Sequence, residues 1–96
     1  KVEVATRLQF DSESSTHSTI LQVVAPDIQS LLRQIALTLS THKCNIEVAL
    51  IDTEGDTAID VFYLTQGGAK LTNEMQHTLA GHLTTAINQL RPPPGA

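Results

Sequence analysis

Leu21-Gln22-Val23-Val24-Ala25-Pro26-Asp27-Ile28-Gln29-Ser30-Leu31-Leu32 decides the fold, because a run of β-formers stops at Pro26-Asp27 and a helical pattern starts two residues later. It reads as strand, tight turn and helix. Asp27 is the expected N-cap, since its carboxylate can accept a backbone N–H of the first turn and sits at the positive end of the dipole. From there Ile28, Leu31, Leu32, Ile35, Ala36 and Leu39 follow the i, i+3, i+4 spacing of a one-faced helix, from about Gln29 to Thr41. A strand-to-helix turn aims free N–H groups at an approaching anion or polar ligand, so function is expected there.

Upstream, Val2, Val4, Thr6, Leu8 and Phe10 alternate with Glu3, Ala5, Arg7 and Gln9, the period of a strand with one wet face. Asp11 to His17 is a polar loop, and Thr19 to Ala25 returns as a second strand, paired antiparallel with the first. Downstream, Cys44–Thr53 and Ala58–Thr65 are β-rich runs around Glu54-Gly55-Asp56-Thr57, where Gly55 can supply a positive φ, and they read as a hairpin. Gln66 to Lys70 is a loop. Thr72 is the expected N-cap of a second helix carrying Met75, Leu79, Leu83, Ala86, Ile87 and Leu90 on one stripe. Pro92-Pro93-Pro94 ends it, and residues 92–96 are expected to be a disordered tail.

The order ββαββα gives an α+β, ferredoxin-like two-layer sandwich, a four-stranded antiparallel sheet with two helices on one face. Placing the N-terminal strand beside Thr19–Ala25 gives the spatial order first, second, fourth, third. The strands after the first are apolar on both sides: Ile20 and Val24 alternate with Leu21 and Val23, Val48 and Leu50 with Ala49 and Ile51, Phe62 and Leu64 with Val61 and Tyr63. A sheet covered on one face only should alternate more cleanly, so a partner is expected on the second face.

Ninety-six residues hold one core and not two. The chain opens on Lys1 rather than Met, as expected of a piece of a longer protein. Six basic residues against ten acidic ones leave a net charge of −4, the wrong sign for tracking phosphate backbones or an anionic membrane. No nucleic acid or membrane is therefore expected as a partner. One cysteine, Cys44, excludes an intrachain disulfide and a cysteine zinc cage, and suits a reducing, cytoplasmic setting.

No side-chain constellation points to catalysis, a metal or a cofactor. His17, His42, His77 and His82 show no i, i+4 pairing, and His77 and His82 lie about 140° apart on one helix, so they read as surface histidines. Cys44 reads as a small thiol opening a buried strand rather than a nucleophile. Asp52, Glu54, Asp56 and Asp60 lack calcium-loop spacing, and acidic turn residues are ordinarily solvated. Asp60 differs, standing inside a strand on the face a partner is expected to cover. Phe62-Tyr63 is the one aromatic pair that could stack bases, with no basic residue on that strand.

These residues resemble the ACT domain, in the version found at the C-terminus of PII uridylyltransferase/uridylyl-removing enzymes, bacterial sensors of glutamine. Val23-Val24-Ala25-Pro26-Asp27-x-x-x-Leu31-Leu32 is similar to that family's strand, turn and helix signature, and Asn45-Ile46, Ala49, Gly55, Asp60-Val61-Phe62-Tyr63 and Lys70-Leu71-Thr72 recur at similar spacing. The resemblance implies that residues 1–91 are an ACT domain whose N-terminal strand takes the edge that the last strand fills in ordinary ACT domains. It implies a regulatory module, not itself an enzyme, that senses glutamine or another small amino acid and controls an attached nucleotidyltransferase of nitrogen metabolism.

The family binds its ligand between two ACT units, which here implies a homodimer or a second ACT unit as partner. The ligand positions carried over are Asp27, Ile28, Gln29, Ser30, Leu31 and Asn45. The family's Asp-Arg-Pro-Gly turn reads Asp27-Ile28-Gln29-Ser30, so the glycine that admits close approach and unusual φ/ψ is replaced by a residue with a side chain. Weakened binding is the expectation, with the Ser30 hydroxyl still able to donate to a carboxylate. The alternative is a degenerate ACT domain that only dimerises or docks.

Overall fold

The strands form where apolar residues recur at alternate positions, and the helices where they recur every three to four. The computed structural model of the chain describes residues 5–90. It contains β1 (Arg7–Asp11), β2 (Thr19–Pro26), α1 (Leu31–Thr41), β3 (Asn45–Glu54), β4 (Thr57–Thr65) and α2 (Asn73–Asn88). The four strands form one antiparallel sheet in the order β1-β2-β4-β3, as the sequence pattern predicts. Val2, Val4 and the proline tail lie outside the described residues. The first strand starts at Arg7, later than its alternation suggests, with Leu8 and Phe10 half-buried and Arg7 and Gln9 exposed.

Both helices lie on one face. Leu31, Ile35 and Leu39 of α1 and Leu79, Leu83 and Ile87 of α2 pack against Leu21, Val23 and Ala25 of β2 and Ala58, Phe62 and Leu64 of β4. The α2 stripe is the expected one, flanked by partly buried Met75 and Leu90. Thr72 caps α2, its hydroxyl accepting the Met75 N–H at 3.1 Å. The α2 start is tied to the sheet by the buried Thr19 hydroxyl, which accepts the Leu71 N–H at 2.9 Å.

On α1 the stripe is narrower than expected. Leu31, Ile35 and Leu39 recur every four residues and define its centre, which turns Leu32, one position round, outward to 44% exposure. The β3–β4 hairpin closes on Gly55 at φ 61, with Glu54 paired to Thr57.

β3 is exposed along almost its whole length. Ile46 touches the core, a bulge follows between Ile46 and Val48, and beyond it Val48, Leu50 and Ile51 stand 45%, 54% and 50% exposed. Val48 and Leu50 pair with Tyr63 and Val61 and so face the side of the sheet away from the helices, whereas Ile51, opposite Asp60, is on the helix side, and there length explains the exposure. α1 spans about 16 Å, whereas β3 and β4 each run for about 30 Å, so the helix layer ends before the Glu54–Thr57 end of the sheet. The result is an apolar edge strand with unpaired backbone groups and, beyond Ile46, no covering element among the described residues.

Candidate functional site

At the end of β2 the backbone turns sharply. The Asp27 N–H donates to the Asp56 carbonyl at 2.8 Å, which fastens the turn to the β3–β4 hairpin, and the Ile28 N–H donates to the Pro26 carbonyl at 2.9 Å. Asp27 is not the N-cap. That position belongs to Ser30, because residues 27–30 are used up in reversing the chain and the helix begins at Leu31. Ser30 has φ 72 and ψ 7, the left-handed region that glycine favours, and it makes no side-chain cap. The turn thus keeps a glycine-type conformation with a serine in it.

The first turn of α1 carries neither a side-chain cap nor an acidic residue. The Leu31 N–H donates to Ile28 O at 3.2 Å and the Gln34 N–H to Ser30 O at 3.0 Å, leaving the N–H groups between them uncapped by any side chain at the positive end of the helix. Asp27, Gln29 and Ser30 are exposed, Ile28 half-buried and Leu31 buried.

Asn45 is elsewhere. Pro26 pairs through Thr57, and Asn45 with Thr65, so the turn and Asn45 sit eight β4 residues apart, about 26 Å along the sheet. Five of the expected ligand residues are gathered at one end of the sheet, and the sixth is at the other. The Asn45 amide donates to the Glu47 carboxylate, which also accepts the buried Thr65 hydroxyl at 2.8 Å. These two donors hold the Glu47 carboxyl below its ordinary value, Thr65 more than Asn45.

Asp60 is on the opposite face from the one expected. It alternates in phase with Ala58, Phe62 and Leu64, pointing to the helix side at 2% exposure. Both parities of Ala58–Thr65 are rich in apolar residues, so the pattern does not set the phase; Phe62 takes the core and carries Asp60 with it. Its Oδ1 has no hydrogen-bond partner. Burial pushes its carboxyl above the usual range, the Asp52 backbone N–H offsets part of that, and the charges of Asp27 and Asp52 raise it further.

The other candidates are ordinary. Cys44 is buried ahead of β3, and desolvation raises its thiol, the reverse of an activated nucleophile. Phe62 and Tyr63 face opposite sides of the sheet and cannot stack together on a ligand. Sequence reasoning missed one contact: His42 and His82 lie with ring centroids 4.5 Å apart, tilted by 58°. The His42 Nδ1 is 2.8 Å from the Thr38 carbonyl, so it carries the hydrogen. The pair lines an open groove of about 860 Å³ between α1 and α2, away from the 27–31 turn. No group of three or more metal-ligating side chains converges among the described residues.

The architecture defines a small ferredoxin-like α+β domain with an exposed turn leading into an uncapped helix start. Its sequence is homologous to a short segment of the bifunctional uridylyltransferase/uridylyl-removing enzyme. The chain is 33% identical over 91 residues to that enzyme from Vibrio atlanticus (strain LGP32), a match covering 94% of this chain and 10% of the relative. For the Caulobacter vibrioides (strain NA1000 / CB15N) enzyme the figures are 30% over 88 residues, 90% and 9%. For the Erythrobacter litoralis (strain HTCC2594) enzyme they are 34% over 73 residues, 75% and 8%. The chain spans about a tenth of the length of these curated relatives. No protein-family model and no solved structure matches it.

Proposed function

We propose that the chain is an ACT-type regulatory module of a uridylyltransferase-like enzyme, binding glutamine or another small amino acid at the Asp27–Leu31 turn. The observation that carries this reading is Ser30. A left-handed residue at an uncapped helix start is the backbone shape that the family's glycine supports, and it persists here with serine in the glycine's place. The N–H groups of the first α1 turn hold the amino-acid carboxylate, and the Ser30 hydroxyl adds a donor.

A second copy, or a second ACT unit, completes the site. One chain cannot bring Asn45 to Asp27 across about 26 Å of its own sheet. Antiparallel pairing of two β3 edges about their centre sets Asn45 of one unit beside Glu54 of the other, at the end that carries the turn. The exposed Val48, Leu50 and Ile51 supply apolar surface for that contact. The ligand then favours the paired arrangement by its differential affinity, of the order of 1–3 kcal/mol, and so biases the attached enzyme.

A second reading, a docking module without ligand, is favoured by the same exposed β3 edge together with the Cβ that Ser30 places in the turn. A thermal-shift series with the twenty amino acids separates the two. A ligand at a hundred times its Kd adds about 2.7 kcal/mol, so a selective rise of several degrees, lost in Asp27→Ala, supports sensing. No rise with any amino acid, from a chain that light scattering shows to be dimeric, supports docking alone.

A further inference from the structure

Asp60 is the one buried charged side chain among the described residues, and the turn reading leaves it unused. The Asp52 backbone N–H serves the carboxyl only in part: its Oδ1 has no hydrogen-bond partner, and a buried carboxylate oxygen left unpaired is costly to retain. Its position is informative. The Cys44 N–H donates to Leu39 O at 2.9 Å, which fixes the end of α1 at the level where Asn45 pairs with Thr65. Eight residues back along the helix is about 12 Å, the length of roughly three and a half strand residues. With α1 running along the strands, its start falls at the level of the Asp60–Phe62 stretch of β4, and Asp60 is on the face that the helices cover.

The flank is open as well. Asp60 pairs with Val23 on β2 and with Ile51 on β3, and Ile51 is half exposed, so the route to Asp60 is from the β3 edge. Asp27 from the turn and Asp52 from β3 are close enough for their charges to act on Asp60. An uncapped helix start and a carboxylate with one oxygen unpaired, on the same side of the sheet, make a pair of opposite charges, the complement of a zwitterion.

We propose that Asp60 is a further binding and specificity residue of this site, taking the α-ammonium group of an amino acid whose carboxylate lies on the start of α1. The proposal rests on the amino-acid-sensing reading and adds the feature that tells an amino acid from a plain carboxylic acid. A carboxylate without the ammonium meets the negative charges of Asp27, Asp52 and Asp60 with nothing to offset them.

The test pairs the amino acid that raises the midpoint in the twenty-member series, L-glutamine under the reading above, with its des-amino analogue, 4-carbamoylbutanoate. Calorimetric titration of the wild-type chain should give at least tenfold tighter binding for L-glutamine than for the analogue. In Asp60→Asn that ratio should fall to about one, through loss of L-glutamine affinity. Equal binding of L-glutamine by wild type and Asp60→Asn overturns the assignment of Asp60 and leaves the sensing reading standing. Silence of the wild type toward all twenty amino acids overturns both. Should Asp60→Asn fail to fold, the Asp60 carboxyl ¹³C resonance of the wild type decides. Movement with L-glutamine and none with the analogue supports the proposal; no movement with a bound amino acid refutes it.

Discussion

Ser30→Gly should stabilise the domain, against the general rule that serine is a good residue at a helix N-cap. An L-residue in the left-handed region costs roughly 1–2 kcal/mol. Glycine removes that cost but has more backbone freedom to lose on folding, about 0.5–1 kcal/mol. With φ 72 at Ser30 and no cap made by its hydroxyl, the net gain should be about 0.5–1 kcal/mol. For a domain of this size that raises the thermal midpoint by roughly 2–8 °C. Ser30→Ala should change stability by less than about 0.5 kcal/mol, where loss of a working serine cap would cost about 1 kcal/mol. Ser30→Val should destabilise, because a β-branched side chain tolerates positive φ worst. Scanning calorimetry of the three variants reads the effect. A Ser30→Gly midpoint at or below wild type, or a clear loss in Ser30→Ala, would refute the left-handed turn and the strain assigned to it.

Other perturbations bear on separate parts of the account. Thr72→Ala should cost about 1 kcal/mol and lower the calorimetric midpoint by several degrees, with Thr72→Ser near neutral, because the hydroxyl accepts the Met75 N–H. Asp60→Asn should show a pH-dependent gain. The folded carboxyl is raised above its ordinary value of 3.8, so its stabilising contribution is complete below that value and is lost as pH rises through the folded pKa. Asparagine escapes that loss, and urea melts should show the Asp60→Asn advantage widening as the pH rises above 3.8. Leu50→Lys together with Ile51→Lys should leave the monomer's stability within about 0.5 kcal/mol per site while light scattering shows any dimer dissociated, since both side chains are half exposed on the β3 edge.

The sheet order and both helices were legible because each rests on a repeating pattern. Period-2 alternation marked β1, a run of β-formers ending at Pro26 marked β2, Gly55 marked the hairpin, and Thr72 marked the second helix start. The start of α1 was not, because Ile28 continues the helical spacing while the chain is still turning, and a left-handed serine leaves no mark in composition. The phase of β4 was hidden for a related reason: with apolar residues on both parities, only the packing of Phe62 fixes which way Asp60 points. The exposure of β3 depends on register, which turns Val48 and Leu50 to the helix-free face, and for Ile51 on α1 being shorter than the strands, neither of which is a matter of residue type. The His42–His82 contact joins two helices forty residues apart and has no local signature.

At the candidate site the local part was readable and the long-range part was not. Asp27 to Leu31 are contiguous and stay together in any fold that turns there. Asn45 lies at the far end of the same sheet, and the position of Asp60 is set only by strand register. On the proposed reading, the first calls for a second unit and the second adds a buried carboxyl at the level of the helix start.

The most direct measurement is a ¹⁵N-resolved NMR titration of the chain with L-glutamine. The account predicts saturable amide shifts concentrated at Asp27–Leu31 and around Asn45, at opposite ends of each sheet, appearing together at one ligand concentration. Shifts gathered instead in the groove around His42 and His82, or no shift at millimolar glutamine and every other amino acid, would contradict it.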